Sequence, residues 1–294
     1  MNPGRISGAV ALTTALAVTL LAGTASPASA ATVPGDCGDA ASFAPAHFPP
    51  RPDVDNRWFP LKPGTRFELT GTVQEEGATH RHRITTTVTG LTKVLHGVRT
   101  VVVLDQDYDD DVLQESELAF MAEDARGTVW NVGEYPEEYS DGRLDGAPST
   151  WIAGIAGARA GIGMPAHPRL GSRASLQGTA RSIGFRDCAQ VARTGTSVCV
   201  PTGCYHHVLV TREWAPLEPE GGIQLKYYAP GVGTVLVRAM GGDQPENLRL
   251  TGLHRLCGHA LRAVDALALR QDARGYRVSP DVYGRTPRAV APHR

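Results

Sequence analysis

Arg99-Thr100-Val101-Val102-Val103-Leu104-Asp105-Gln106-Asp107 is followed, after Asp109-Asp110-Asp111, by Val112-Leu113-Gln114-Glu115-Ser116-Glu117-Leu118-Ala119-Phe120-Met121-Ala122. These two runs decide the fold class. Each is short and rich in strand formers, and the aspartates between them supply hairpin-turn chemistry. The same phrasing extends outward to 65–73, 83–89 and 127–132. It resumes at 175–181, 184–192, 196–200, 206–213, 224–229, 233–239 and 247–253. Turns such as Pro201-Thr202-Gly203 and Ala229-Pro230-Gly231 separate these runs. About a dozen strands in succession with no helices between them exclude a parallel α/β sheet. The expectation is a mainly β domain over 56–256: a large curved antiparallel sheet, built as a half-barrel or a sandwich.

One helix follows. Leu261, Val264, Leu267 and Ala268 recur at helical spacing, with Arg262, Asp265 and Arg270 elsewhere, which predicts a C-terminal helix over 257–272. The basic, Pro-containing tail 273–294 is expected to be poorly ordered, and 31–55 to be an extended lead-in tied down at Cys37. The stretch 152–163 is too glycine-rich for a stable helix and is expected to act as a mobile flap.

The N-terminal 1–30 has the three parts of a secretory signal: Arg5, an uncharged Ala/Leu/Val run, and Ala28-Ser29-Ala30. Cleavage is expected before Ala31. No Cys stands there, so a lipid anchor is not expected, and no later segment is apolar for long enough to span a bilayer. The expected location is secreted or extracellular, with no transmembrane anchor after cleavage. A formal net charge of −1 gives no reason to expect nucleic acid as a partner. Five cysteines in an exported chain point to two disulfides and one leftover thiol. Sequence proximity favours Cys188–Cys199, with Cys37–Cys257 joining the ends of the domain. A metal–thiolate site is the rival, but no C-x-x-C pair is present.

Candidate chemistry is sparse. Asp105, Asp107, Asp109, Asp110, Asp111, Glu115 and Glu117 form the densest acidic segment, read as a solvated hairpin tip because calcium-loop spacing is missing. His80 and His82 share a strand face, but a third ligand would have to arrive from elsewhere. Cys204 beside Tyr205-His206 suggests a thiol–imidazole pair, although an oxidising compartment favours a bonded cysteine. Glu134, Glu137, Glu138 and Asp141 lie near Trp130 and Tyr135, the residue types of a sugar cleft. No motif implies a cofactor or a resident metal.

Several blocks together resemble a family of exported bacterial proteins of unknown function. They are Asp55-Asn56-Arg57-Trp58-Phe59-Pro60-Leu61-Lys62-Pro63-Gly64-Thr65, Asp124-Ala125-Arg126-Gly127-Thr128-Val129-Trp130-Asn131-Val132-Gly133-Glu134, and Met164-Pro165-Ala166. The later ones are Thr211-Arg212-Glu213-Trp214-Ala215-Pro216-Leu217 and Lys226-Tyr227-Tyr228-Ala229-Pro230-Gly231-Val232-Gly233. The chain departs from that pattern at Thr128 and Asn131, and in its cysteines from Cys188 to Cys204. The resemblance implies no activity. At the level of fold it is similar to lipoprotein-carrier-like β proteins, which enclose lipid or acyl ligands.

The leading expectation is a non-enzymatic exported protein that binds a lipid or other amphiphile in a cleft lined by Trp130, Ile152, Ile155 and Ile162. The rivals are a secreted glycan hydrolase using carboxylates near Glu134, and a ligand-free interaction module.

Overall fold

A computed structural model describes residues 33–75 and 77–291. The predicted signal segment and the start at Ala31 lie outside the described residues. The strands are β1 (Thr65–Glu75), β2 (Ala78–Leu95), β3 (Val98–Asp109), β4 (Val112–Glu123), β5 (Val129–Ser140), β6 (Arg143–Gly146) and β7 (Trp151–Ile152). They continue as β8 (Arg159–Met164), β9 (Ser175–Ala180), β10 (Phe185–Val200), β11 (Gly203–Trp214), β12 (Ile223–Ala229), β13 (Gly233–Met240) and β14 (Glu246–Arg255), before the helix α1 (Gly258–Val278).

Each strand pairs antiparallel with its neighbour in sequence, except that β6 and β7 are short additions on β5 and the path passes from β5 to β8. The ring then closes: β1 pairs with β14 from Thr65 opposite Arg255 to Val73 opposite Glu246. The result is a closed antiparallel barrel of twelve strands. This corrects the expected half-barrel or sandwich. An open sheet would leave β1 and β14 as long exposed edges, and joining them satisfies both rows of backbone groups.

The hairpin at the quoted stretch forms as expected. Asp110 and Asp111 both take positive φ, at 48° and 68°, the backbone of a two-residue turn that follows the strand twist. His80 and Arg81 of β2 reach across and hold the Asp110 carboxylate. Only those two aspartates form the tip. Asp105, Asp107, Glu115 and Glu117 lie within the strands, which corrects the reading of the whole segment as a solvated turn.

Two apolar cores sit on opposite faces of the wall. Inside the barrel pack Phe67, Leu69, Val103, Leu209, Val235 and Leu250. Outside, Val102, Leu104, Leu118, Phe120, Val132 and Tyr135 form a second core under α1, because residues alternate faces along each strand. The helix docks where the β2–β3 pairing shifts register between Val88 and Thr92. There the Gly90 N–H donates to Asp265 at 2.7 Å, and a Cβ at Gly90 would lie 2.9 Å from that carboxylate. Glycine leaves room for this close approach, which a Cβ would allow only if the Asp265 carboxylate moved.

The helix runs past its expected end at 272 to Val278, and the tail beyond it docks. Tyr283 is fully buried against Tyr135, with ring centroids 4.3 Å apart, and Val290 exchanges backbone hydrogen bonds with Thr92. The tail therefore completes the outer core. The lead-in is likewise held by more than its cysteine, since Phe43 and Phe48 pack on Trp130 with centroids 5.3 and 6.3 Å away. The glycine-rich stretch is built into the wall as β7 and β8. A Cβ at Gly161 would collide with the Gln177 backbone, so glycine here serves close strand approach.

The disulfides are Cys37–Cys188 and Cys199–Cys204, with Cys257 free and exposed. The expected Cys188–Cys199 and Cys37–Cys257 bridges are thereby corrected. Cys188 and Cys199 stand on one extended strand, β10, too far apart to bond. Cys199 instead faces Cys204 directly across the β10–β11 hairpin. Cys37 pins the lead-in to the outer wall beside Trp214 and Ile223. A non-reducing peptide map is expected to link Cys37 to Cys188 and Cys199 to Cys204, with only Cys257 alkylated. Replacing both Cys37 and Cys188 by Ser is expected to cost about 2–4 kcal/mol in reversible unfolding. A peptide linking Cys257 to any other cysteine of the native monomer would contradict this arrangement.

Candidate functional site

The inward row of each strand changes character along the barrel. On β3 it reads Val101, Val103, Asp105, Asp107. On β4 it reads Met121, Ala119, Glu117, Glu115, and on β2 Val88, Thr86, Ile84, His82. The register sets Val103 against Ala119 and Asp105 against Glu117, so these rows grade together from an apolar level to an acidic level near the β3–β4 turn. Between the two levels lies a cavity of about 260 Å³.

Phe59 and Leu61, from the segment before β1, join Phe67, Val103, Ala119 and Met121 on its apolar side. Asn56 fixes that segment. Its side-chain amide donates to the Gly127 and Pro165 carbonyls, and its carbonyl oxygen caps the Trp58 and Phe59 N–H groups. The polar side presents Asp105, Glu117, Glu134, Asp187, Glu213 and Lys226. A smaller cavity of about 60 Å³ adjoins it and shares Gln177, Asp187, Glu213 and Lys226 as a common wall.

The Lys226 ammonium sits 2.9 Å from Glu213. Glu213 also accepts from Thr211 at 2.8 Å and from Tyr228 at 3.0 Å, so this ion pair is fully provided for. Burial alone would lower the Lys226 pKa, but Glu213, Tyr228 and Glu246 raise it, and the amine stays charged. Glu134 accepts from the Asn131 amide at 2.5 Å and the Trp151 indole at 2.8 Å. Burial raises its pKa, and those two donors pull against the rise.

Glu117 and Asp187 differ. Among the described residues no hydrogen-bond donor reaches either carboxyl. Burial, then the charges of Glu134, Glu115 and Asp105, pushes Glu117 well above the usual carboxylate range. Burial and the charge of Glu134 do the same to Asp187. Burial also raises Asp105, against a hydrogen bond from Thr86. Burial thus favours the neutral form of Glu117 and Asp187 more than that of Glu134, whose two donors favour the anion.

Sequence reasoning singled out Glu134 and missed its companions. Glu137 points the other way, into an ion pair with Arg274 at 2.6 Å. Glu138 lies further along the Glu134 face, with burial raising its pKa to about 7. Asp141 sits in the turn after β5. Trp130, Ile152, Ile155 and Ile162 belong to the outer core and do not line the lumen cavity. His82 is buried, with Nδ1 2.7 Å from Asp109 and 3.2 Å from Asp107, and Nε2 3.2 Å from Glu246. His82, Asp107 and Asp109 could gather round a metal ion; without one, the imidazole holds its protons. Burial would lower its pKa, while hydrogen bonds to Asp109 and Glu246 raise it to about 10. Protonated in this way, the ring donates from both nitrogens to the surrounding carboxylates. His80 instead pairs with Asp110, His206 with Ser197, and Cys204 is held in its disulfide.

No protein-family model matches this sequence, and no curated protein matches it. Two solved structures are similar at low level. One is a lipoprotein candidate from Parabacteroides distasonis, 12% identical, covering 68% of this chain and 99% of that chain with a TM-score of 0.34. The other is an exported-protein candidate with a YmcC-like fold from Bacteroides fragilis, 13% identical, covering 68% and 100% with a TM-score of 0.36. The chemistry of the lumen rests on its own residues. No helix among the described residues is long and apolar enough to cross a membrane.

Proposed function

We propose that this protein is an exported carrier or binding protein whose barrel lumen takes a small amphipathic molecule. The observation that carries the reading is the cavity of about 260 Å³ inside a closed barrel, apolar at one level and carboxyl-lined at the next. Ligand sites are concave and mostly apolar with a few convergent polar groups, commonly about 300–1,000 Å³. The lumen falls just below that range, which suits a single short chain better than a two-chain lipid. The two disulfides support an oxidising compartment.

The uncharged fluorescent probe N-phenyl-1-naphthylamine is expected to bind the folded monomer. Filling the cavity with Ala119→Trp is expected to weaken it about tenfold or more, with the circular dichroism unchanged. Equal binding by that variant, or no uptake by the native protein, would sink the carrier reading.

One observation favours a second reading, a hydrolase of small glycosides: Glu117, its pKa held up by burial, lines the same cavity as Glu134, whose Asn131 and Trp151 donors favour the anion. It requires turnover of a chromogenic glycoside that Glu134→Gln abolishes.

A further inference from the structure

The charges of the lumen define the polar end of its occupant, and this inference rests on the carrier reading above. The single base lining the cavity, Lys226, is already engaged by Glu213. Among the described residues no arginine or histidine joins it. An anionic head such as a carboxylate or phosphate would enter a wall crowded with carboxyl groups and find no unpaired cation. Lumen-facing Glu117 and Asp187, in contrast, have no hydrogen-bond donor among the described residues. They aim two oxygen pairs into the space between the apolar wall and the ion pair.

We propose that the occupant is a short-chain amphiphile with a cationic, N–H-bearing head, a primary amine or a guanidine. Its head sits among Glu117, Glu134 and Asp187, and its tail lies against Phe67, Val103 and Met121. An ammonium has three N–H donors and no acceptor, which matches carboxyl groups that lack donors. When R–NH3⁺ enters, Glu117 or Asp187 gives its proton to solvent and the resulting carboxylate pairs with the ammonium, so charge balances without any other reactant. An alcohol of equal length gains the same apolar burial without the charge-assisted hydrogen bonds, which are roughly twice as strong as neutral ones.

Proton release sets the sign of the pH dependence: amine affinity rises with pH until the empty site ionises. The groups that govern this ionisation are Asp105 on β3, Glu115 on β4, Glu134 on β5 and Glu213 on β11. Lys226 on β12 and Glu218 in the loop after β11 complete the set.

The test is calorimetry of octylamine, octanol and octanoate against the native protein, with N-phenyl-1-naphthylamine uptake followed in parallel. Octylamine is expected to bind at least about tenfold tighter than octanol at neutral pH, with octanoate weakest. Titrations in two buffers of different ionisation enthalpy are expected to show proton release on amine binding only. In the Glu117→Gln/Asp187→Asn double variant the amine advantage is expected to fall below about threefold, while octanol and probe binding persist and report an intact lumen. Equal or tighter binding of octanol or octanoate by the native protein overturns the cationic assignment and leaves the carrier reading standing. Failure of every ligand and of the probe removes the carrier reading itself, and this inference with it.

Discussion

Replacing Lys93 by Met is expected to lower the free energy of unfolding by about 3–5 kcal/mol. Lys93 and Asp272 are almost wholly enclosed, with side-chain exposures of 0% and 3%. The ammonium donates to Asp272 at 2.7 Å, to the Tyr276 hydroxyl at 3.0 Å and to the Pro287 carbonyl at 2.6 Å. It also lies 4.2 Å from the centre of the Tyr283 ring. Methionine keeps the length and apolar body of the side chain but strands a buried carboxylate. The remaining donors to Asp272, the Tyr283 hydroxyl and the Ala289 N–H, are neutral. Breaking one side of a buried pair costs far more than removing both, so Lys93→Met/Asp272→Asn should recover much of the loss. Urea unfolding of the three proteins decides the matter. A single variant within about 1 kcal/mol of wild type, or a double variant no better than the single, would show that the pair does not hold helix and tail to the barrel.

The second large effect is expected from His82 as pH rises. Its pKa in the folded state is raised above the unfolded value of 6.5 to about 10. A base with a raised pKa stabilises the fold fully below its unfolded pKa, and that contribution disappears as pH climbs through the folded value. Every tenfold gain in proton affinity on folding is worth about 1.4 kcal/mol. Between pH 6 and pH 9.5 the native protein should therefore lose roughly 3–4 kcal/mol that a His82→Leu variant, already destabilised at pH 6, does not lose. A His82 ring proton followed by nuclear magnetic resonance should remain in its imidazolium position at pH 8. Titration near 6.5 would refute the assignment.

The strands were legible because each hairpin carries its own turn chemistry, as at Asp110-Asp111, and because Val, Leu and Thr recur with period two. Closure was not, since an open sheet and a barrel share the same alternation; only the pairing of β1 with β14 separates them. The lumen acids were legible in principle. Stepping by two from Val101 and Val103 reaches Asp105, and from Met121 and Ala119 reaches Glu117, so acids stand in rows that begin apolar. Charge density near the turn masked that periodicity and made the segment look solvated. Glu213 and Lys226 gave less warning, since they come together only across β11 and β12. Trp130 shows the opposite failure: an aromatic beside a carboxylate suggested a cleft, but neighbouring Val129 and Asn131 take the inward face and turn the indole towards Phe43 and Phe48. The disulfides were misassigned because separation along the chain stood in for separation in space.

The seam between β1 and β14 also governs when the molecule can exist at all. Thr65 and its partner Arg255 belong to almost opposite ends of the chain, so the barrel cannot shut until its last strand has been delivered. On the proposed export route the chain crosses a membrane as a thread, and β1 is the first strand to emerge. That strand and each growing sheet edge must wait, unpaired on one side, through the delivery of all the others. Long-range pairing of this kind carries a large loop-closure cost and folds slowly. Sequential hairpins can form as they emerge, but commitment comes only with the arrival of residues 246–255. A chain halted short of β14 is left with two open edges and every means of sticking to another copy of itself.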